Sequence, residues 1–355
     1  MPEENYNVIG VMSGTSLDGI DLARVAFSFT DGTVGFTIHE CETIPYTAEW
    51  TDALKNAVGF SDAELIRLNS DYTKLLSEVI TAFIQKHHLD NIDAVCSHGH
   101  TVLHQPQKGI TLQIGNLPEI AILTRETVVC DFRVGDVQLG GQGAPLVPIG
   151  DRILFGGFDY CLNLGGFSNI SFEQDASRIA FDISPVNTVL NFYADMLGYD
   201  YDEDGKLARG GELNVALLDD LNMLDYYRKP FPKSLGIEFV RDTIFSLMEI
   251  YDIPIENILR TFTEHIAQQI SLALPSRNGK MLVTGGGAYN TFLIDCLREQ
   301  LPEMEIIIPE KKILEFKEAL IFALLGILKI RNEINVLSSV TGAKHDHSSG
   351  KIYKP

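Results

Sequence analysis

The sequence predicts an α/β protein built as two related lobes facing each other across a cleft, and three observations carry that expectation. At 355 residues the chain is longer than one hydrophobic core usually spans. Short β-rich runs alternate with stretches of helical periodicity along most of its length. A strand, a glycine loop and a second strand open the chain near Gly14, and the same arrangement recurs near Gly166.

Taken in order, Val8–Met12 and Ile20–Phe29 read as a hairpin around the loop GVMSGTSLDGID (residues 10–21), with Thr33–Ile44 as a third strand. Apolar residues at helical spacing from Leu65 to Phe83 predict a helix over Ser61–His88. Ser61 and Glu64 supply a capping box at its start. Short buried strands follow at Ala94–Ser97, Thr111–Ile114 and Thr127–Cys130, completing an N-terminal lobe over residues 1–134. The Gly- and Pro-rich stretch within 135–150 reads as the crossing to a C-terminal lobe over residues 151–340. That lobe opens with strands Tyr160–Leu164 and Asn169–Phe172, and helices are expected at Asn187–Leu197, Glu238–Tyr251 and Ile255–Leu274. The strand Met281–Thr284 then leads through a glycine run into the helix Thr291–Leu301. Glu315–Lys329 is the last helix, and the polar residues 341–355 read as a mobile tail.

Composition narrows the partners. The formal charge of −20 opposes binding to nucleic acid or an anionic membrane, yet leaves room for a small anion in a local nest of backbone N–H groups. The five cysteines are odd in number and widely spaced, as expected of small buried hydrophobes in a reducing compartment. The N-terminus lacks the pattern of a signal peptide, and the apolar run Ala319–Leu328 is too short to span a bilayer, so a cytoplasmic protein is expected.

The opening loop has no P-loop signature. Ser13, Thr15, Ser16 and the glycine turn can instead direct hydroxyl and N–H groups at a polyphosphate, with Asp18 and Asp21 placed to hold Mg²⁺; a plain hairpin turn is the alternative. NLGGFSNI, with Gly165 and Gly166, offers a second phosphate nest or an ordinary turn. In VTGGGAYN, Gly285, Gly286 and Gly287 leave bare backbone between a strand and a helix start, suited to a nucleoside or to a tight connection. Asp182 closes an apolar run and reads as a strand-end general base or as a cap for the next helix. His98, His100 and His104 lie close together without a completing carboxylate or cysteine, which favours hydrogen-bonding roles over zinc. Arg133 offers a fork for a carboxylate, or an ion pair with Asp131 or Asp136. Glu318, alone on an apolar helix, suits either a surface or a contact with sugar hydroxyls.

GVMSGTSLDGID, SHGHTVLHQP, TLQIGNLPEIA, VVCDFRVGDVQLGGQGAPLVP, NLGGFSNI, VTGGGAYN, KEALIFALLG and SSVTGA follow one another from Val8 to Gly342. In this order they resemble the anhydro-N-acetylmuramic acid kinase family. The resemblance implies two RNase-H-like lobes of the sugar kinase/Hsp70/actin type with an interlobe ATP cleft, and usually a homodimer. It also implies a reaction: 1,6-anhydro-N-acetylmuramic acid, ATP and water give N-acetylmuramic acid 6-phosphate and ADP, in the recycling of cell-wall sugars. By the same resemblance Gly14, Thr15, Ser16, Leu17, Asp18, Gly19, Ile20 and Asp21 hold the ATP phosphates, and Gly285–Gly287 lie near the nucleoside. Asp182 activates water, Arg133 pairs with the lactyl carboxylate, and His98, Thr101 and Glu318 position the sugar.

Three segments depart from the family pattern. Ile183-Ser184-Pro185-Val186-Asn187 stands where Thr-Gly-Pro-Gly-Asn is usual, His100 replaces a glutamine, and IGDRILF replaces a Phe-His form. Two other readings stay open on the residues: a kinase of an ordinary sugar hydroxyl with the same fold, and a non-catalytic ATP-binding clamp. A glycosidase using Asp182 would leave the glycine loops without a purpose.

Overall fold

The computed structural model describes residues 4–14, 17–30 and 32–355. The chain forms two compact units, Met1–Phe155 with Phe316–Pro355, and Gly156–Glu315.

In the first unit, β1 (Glu4–Ser13), β2 (Gly19–Thr30) and β3 (Thr33–Pro45) form an antiparallel meander. β4 (Ala94–Gln105) runs parallel to β1, its outer half carries β5 (Ile110–Ile114) as a hairpin, and β6 (Val128–Cys130) runs parallel to β4. Alternation along β1 and β2 buries Val11, Ile20 and Leu22 against Leu68, Tyr72, Leu76 and Ile80 of the helix Asp62–Lys86. That helix starts where the sequence places it: the Ser61 N–H donates to Glu64 Oε2 at 2.8 Å, and the capping box is closed.

The second unit repeats the plan. β7 (Tyr160–Leu164), β8 (Phe167–Gln174) and β9 (Ser177–Pro185) form a meander, and β10 (Gly279–Thr284) and β11 (Met304–Ile307) add in parallel beside β7. The orders β3-β2-β1-β4-β6 and β9-β8-β7-β10-β11 are the same, first three strands antiparallel and the next two parallel. This is the RNase-H-like order, and it confirms that the two glycine hairpins open two related lobes.

The lobe boundaries differ from those expected. Residues 135–150 stay within the first unit, where the buried Asp136 ties them down. Its Oδ2 accepts the Gly143 N–H at 2.6 Å and its Oδ1 the Thr341 hydroxyl at 2.7 Å. The last helix runs from Lys311 to Ile330, loses helical geometry at Phe316 (φ −112°, ψ 17°), and from there belongs to the first unit. Two glycines admit it onto the sheet. A Cβ on Gly10 would lie 1.9 Å from the Ala319 carbonyl oxygen, and one on Gly326 would lie 2.1 Å from Cys96 Sγ.

The tail expected to be mobile is ordered. β12 (Lys351–Tyr353) pairs antiparallel with β6, and the buried Asn335 binds it through the Ser349 backbone at 2.9 and 2.7 Å. Its polarity reflects hydrogen bonds to the body of the unit. Among the described residues no helix is long and apolar enough to cross a membrane.

Candidate functional site

In the first unit Arg133 opens the helix Phe132–Gln138 and is committed on one side only. Its Nε donates to His98 Nε2 at 2.8 Å and its Nη1 to the Gly143 carbonyl at 2.8 Å. Accepting at Nε2 fixes the His98 tautomer, so Nδ1–H donates to the Gly99 carbonyl at 2.9 Å. Burial first, and the adjacent guanidinium second, hold the His98 pKa well below its usual value, so the ring is neutral. Phe322 packs against it at 4.6 Å between ring centroids. Arg133 forms no ion pair among the described residues; Asp131, one partner the sequence suggested, pairs with Lys351 at 2.7 Å. Burial brings the Arg133 pKa down to about 10 against the opposing pull of Glu318 and Asp136. The guanidinium is therefore charged at neutral pH, with Nη2 free of the two contacts that orient it.

Glu318 lies beside Ala319, the residue packed on Gly10, and is solvent-exposed. The protein crowded around it raises its pKa, with Arg133 and Lys317 pulling the other way. Lys317 itself pairs with Asp151 at 2.8 Å, both buried. Asp151 is the aspartate of IGDRILF, so that segment is tied by an ion pair to the C-terminal helix.

Thr101 on β4 is half-buried and takes a long contact of 3.4 Å from Gln113 Nε2. His100 bonds to Ser13 Oγ at 2.9 Å, and the chain continues to Tyr46 OH at 2.6 Å and on to Tyr72 OH at 2.6 Å. Burial lowers the His100 pKa to about 4. His104 points instead to Thr111 Oγ1 at 3.2 Å. The three histidines thus serve three separate partners, and among the described residues no group of three or more potential metal ligands gathers.

Of the opening loop, Thr15 and Ser16 lie outside the described residues. Leu17 holds a left-handed φ of 61°, and Gly19 is required by the close approach of β3, its Cβ position lying 2.5 Å from the Ile44 carbonyl oxygen. Asp18 is exposed, whereas Asp21 lies within β2 and accepts the Thr43 hydroxyl at 2.5 Å. Carboxylates are the donor type Mg²⁺ takes from a protein, one or two of them with water completing its shell.

In the second unit Asp182 lies within β9, opposite Asn169, rather than at a strand end as expected. A register irregularity follows directly, placing Ser184 opposite Ser168. Asp182 Oδ2 accepts the Leu235 N–H at 2.9 Å. Its backbone is clamped as well, the N–H by the Lys233 carbonyl at 3.2 Å and the carbonyl by the Tyr226 hydroxyl at 2.7 Å. Burial raises the carboxyl pKa, and the Leu235 bond partly offsets it. Sequence reasoning missed this strap of residues 226–235; its one signal was the run Lys229-Pro230-Phe231-Pro232, which breaks helical periodicity.

The Gly165–Gly166 turn faces the helix Asn187–Asp195, whose first N–H groups it satisfies: Gly165 O accepts from Asn187, and Gly166 O from Val186 and Thr188. Val186, the N-cap of that helix, has φ −130° and ψ −98° and is fully buried. Gly285 (φ 84°) and Gly287 lie against Leu164, their Cβ positions 2.7 Å from its carbonyl oxygen and 2.8 Å from its side chain respectively. Gly286 has only Asn187 Nδ2 nearby, at 3.7 Å, and leaves open backbone.

Comparison with known proteins agrees with this arrangement. Residues 6–355 match the family model described as anhydro-N-acetylmuramic acid kinase. Proteins of that name from Hydrogenovibrio crunogenus and Vibrio cholerae are 34% and 35% identical, each alignment covering 98% of both chains. One from Mannheimia succiniciproducens is 35% identical over 97% of this chain and 98% of its own.

Proposed function

The chain belongs to the anhydro-N-acetylmuramic acid kinase family, and from that premise we propose that it hydrolytically opens 1,6-anhydro-N-acetylmuramic acid and phosphorylates O6 with ATP, in cell-wall sugar recycling. The observation that carries the reading is the state of Asp182. One carboxylate oxygen is held by the Leu235 N–H, the backbone is clamped on both sides, and burial raises the pKa above the ordinary carboxyl value.

In this reading Asp182 takes a proton from water as the water oxygen bonds to the anomeric carbon. The bond from that carbon to O6 breaks, and O6 attacks the γ-phosphorus of ATP, releasing ADP. Arg133, oriented by His98 and Gly143, pairs through its remaining Nη with the lactyl carboxylate. Glu318, Thr101 and the region of His98 hold the sugar hydroxyls. The Gly14–Asp21 loop takes the phosphates, and the open backbone at Gly286 takes the nucleoside. Asp18 and Asp21 would hold Mg²⁺, which when bound neutralises phosphate charge. Gly165 and Gly166 act on the site through the helix start they brace. A cytoplasmic homodimer belongs to the same proposal, by resemblance to the family, and sedimentation equilibrium tests the dimer.

Asp182→Asn is the direct test, since it keeps shape and removes the base. We expect turnover to fall by at least about 10²-fold, in the range of lost general-base catalysis, while calorimetric binding of ATP and anhydro sugar persists. Retained turnover would refute the assignment.

A further inference from the structure

The strap that clamps Asp182 also walls a pocket of about 170 Å³ in the second unit. Phe181 and Ile183, the neighbours of Asp182 on β9, line it, and Asp182 does not. Phe181 and Phe231 stack at 5.4 Å with 8° between their planes, giving a flat aromatic wall. Leu272 and Ala273, at the end of the helix Ile255–Ala273, contribute further apolar surface.

The polar groups in this wall are unbalanced. Lys229 and Lys233 both line the pocket, and neither forms an ion pair among the described residues, in a chain whose net charge is −20. Lys233 Nζ has only a long contact of 3.4 Å to the Tyr226 carbonyl and lies over the Tyr226 and Phe181 rings, 4.7 and 5.8 Å from their centroids. Burial and the like charge of Lys229 lower its pKa, with no carboxylate opposing them. Tyr227, also in the lining, buries its hydroxyl without a hydrogen-bond partner. Two cations and a flat apolar wall form one complementary set.

We propose that this pocket binds a small amphipathic oxyanion, a carboxylate or phosphate carried on a flat apolar body. The volume is below that of pockets for drug-sized ligands and suits a single ring. The oxyanion meets Lys229 and Lys233, and the ring lies against the aromatic wall of Phe181 and Phe231. Because the Lys233 carbonyl and the Leu235 N–H hold Asp182, a bound ligand would also stiffen the mounting of that carboxylate; this consequence alone rests on the catalytic reading above.

Calorimetric titration of the full chain at low salt with phenyl phosphate, benzoate and inorganic phosphate tests the site without turnover. Phenyl phosphate and benzoate should bind more tightly than inorganic phosphate, and saturating Mg-ATP should not displace them. Lys229→Gln and Lys233→Gln, each keeping the backbone of the strap, should weaken binding about tenfold, the loss of one charge-assisted contact. Ala273→Leu, which narrows the pocket, should weaken the ring-bearing probes and spare inorganic phosphate. Thermal melts of each variant establish that it is folded. Absence of binding, equal affinity in the folded lysine variants, equal affinity for inorganic phosphate, or displacement by Mg-ATP would each overturn the proposal. Probe binding together with retained turnover in Asp182→Asn would overturn the catalytic reading alone, and absent binding with turnover lost in Asp182→Asn would overturn this proposal alone.

Discussion

Replacing Gly10 by alanine would drive a methyl group into the backbone of the C-terminal helix. The new Cβ would start 1.9 Å from the Ala319 carbonyl oxygen, 2.7 Å from its carbon and 3.0 Å from Ala323 Cβ. Reaching even 3.0 Å from that oxygen, a separation real Cβ atoms essentially never undercut, requires a retreat of about 1.1 Å. Both sides of the contact are regular backbone, and no rotamer change can relieve it. Overpacking of this kind costs about 1–3 kcal/mol. At roughly 2–4 °C per kcal/mol, the melting temperature should fall by about 2–12 °C. The displaced segment carries Glu318 one residue before Ala319, so the sugar contact proposed for Glu318 moves with it, and misplacement by about 1 Å can cost on the order of 10²-fold in rate. Calorimetric melting and kcat/KM for anhydro-N-acetylmuramic acid are the assays. A variant that melts within a degree of the wild type and retains its kcat/KM would refute both the packing argument and the placement of Glu318.

Leu235→Pro removes the N–H that favours ionised Asp182, so the carboxyl pKa should rise further and the acidic limb of the kcat profile should move to higher pH. Leu235→Ala keeps the N–H and should leave that limb in place. Arg133→Met strands the buried acceptors His98 Nε2 and the Gly143 carbonyl and deletes the fork. It should cost about 1–3 kcal/mol of stability and raise KM for the anhydro sugar well above that for ATP, measured by melting and steady-state kinetics. His100, with its folded pKa depressed to about 4, resists a proton that the unfolded chain accepts below about 6.5. Its contribution to stability is therefore complete above 6.5 and declines as pH falls toward 4, by up to about 1.4 kcal/mol per pH unit. His100→Gln should flatten the dependence of melting temperature on pH in that window. Deleting residues 351–355 removes β12 and the Lys351–Asp131 pair, and should lower the melting temperature by several degrees.

Much of this was legible because local chemistry dictates it. The capping box at Ser61 and Glu64 and the apolar face from Leu65 to Phe83 start and orient their helix through neighbours in sequence. The recurrence of a glycine hairpin gave the duplicated lobe, which the two identical strand orders bear out. What stayed hidden depends on residues far apart. Nothing around Gly10 signals that Ala319 packs on it, so the last helix was placed with the wrong lobe. The polar tail gave no local sign that Asn335, Asp136 and β6 absorb its hydrogen bonds. The sequence offers Asp182 as a candidate base, but its clamp at Tyr226, Lys233 and Leu235 lies some 44–53 residues away in the chain. Arg133 showed the same limit: the sequence offered Asp131 or Asp136 as partners, while the fold supplies His98 and Gly143 and leaves Arg133 without an ion pair among the described residues.

The most direct measurement is mass spectrometry of the product formed from 1,6-anhydro-N-acetylmuramic acid and Mg-ATP in ¹⁸O-labelled water. The account predicts a 6-phosphate with one ¹⁸O at the anomeric carbon and none in the phosphoryl group, since water attacks the sugar and O6 attacks phosphorus. Label in inorganic phosphate with the sugar unchanged, or phosphorylation of an ordinary amino sugar with the anhydro sugar untouched, would contradict it.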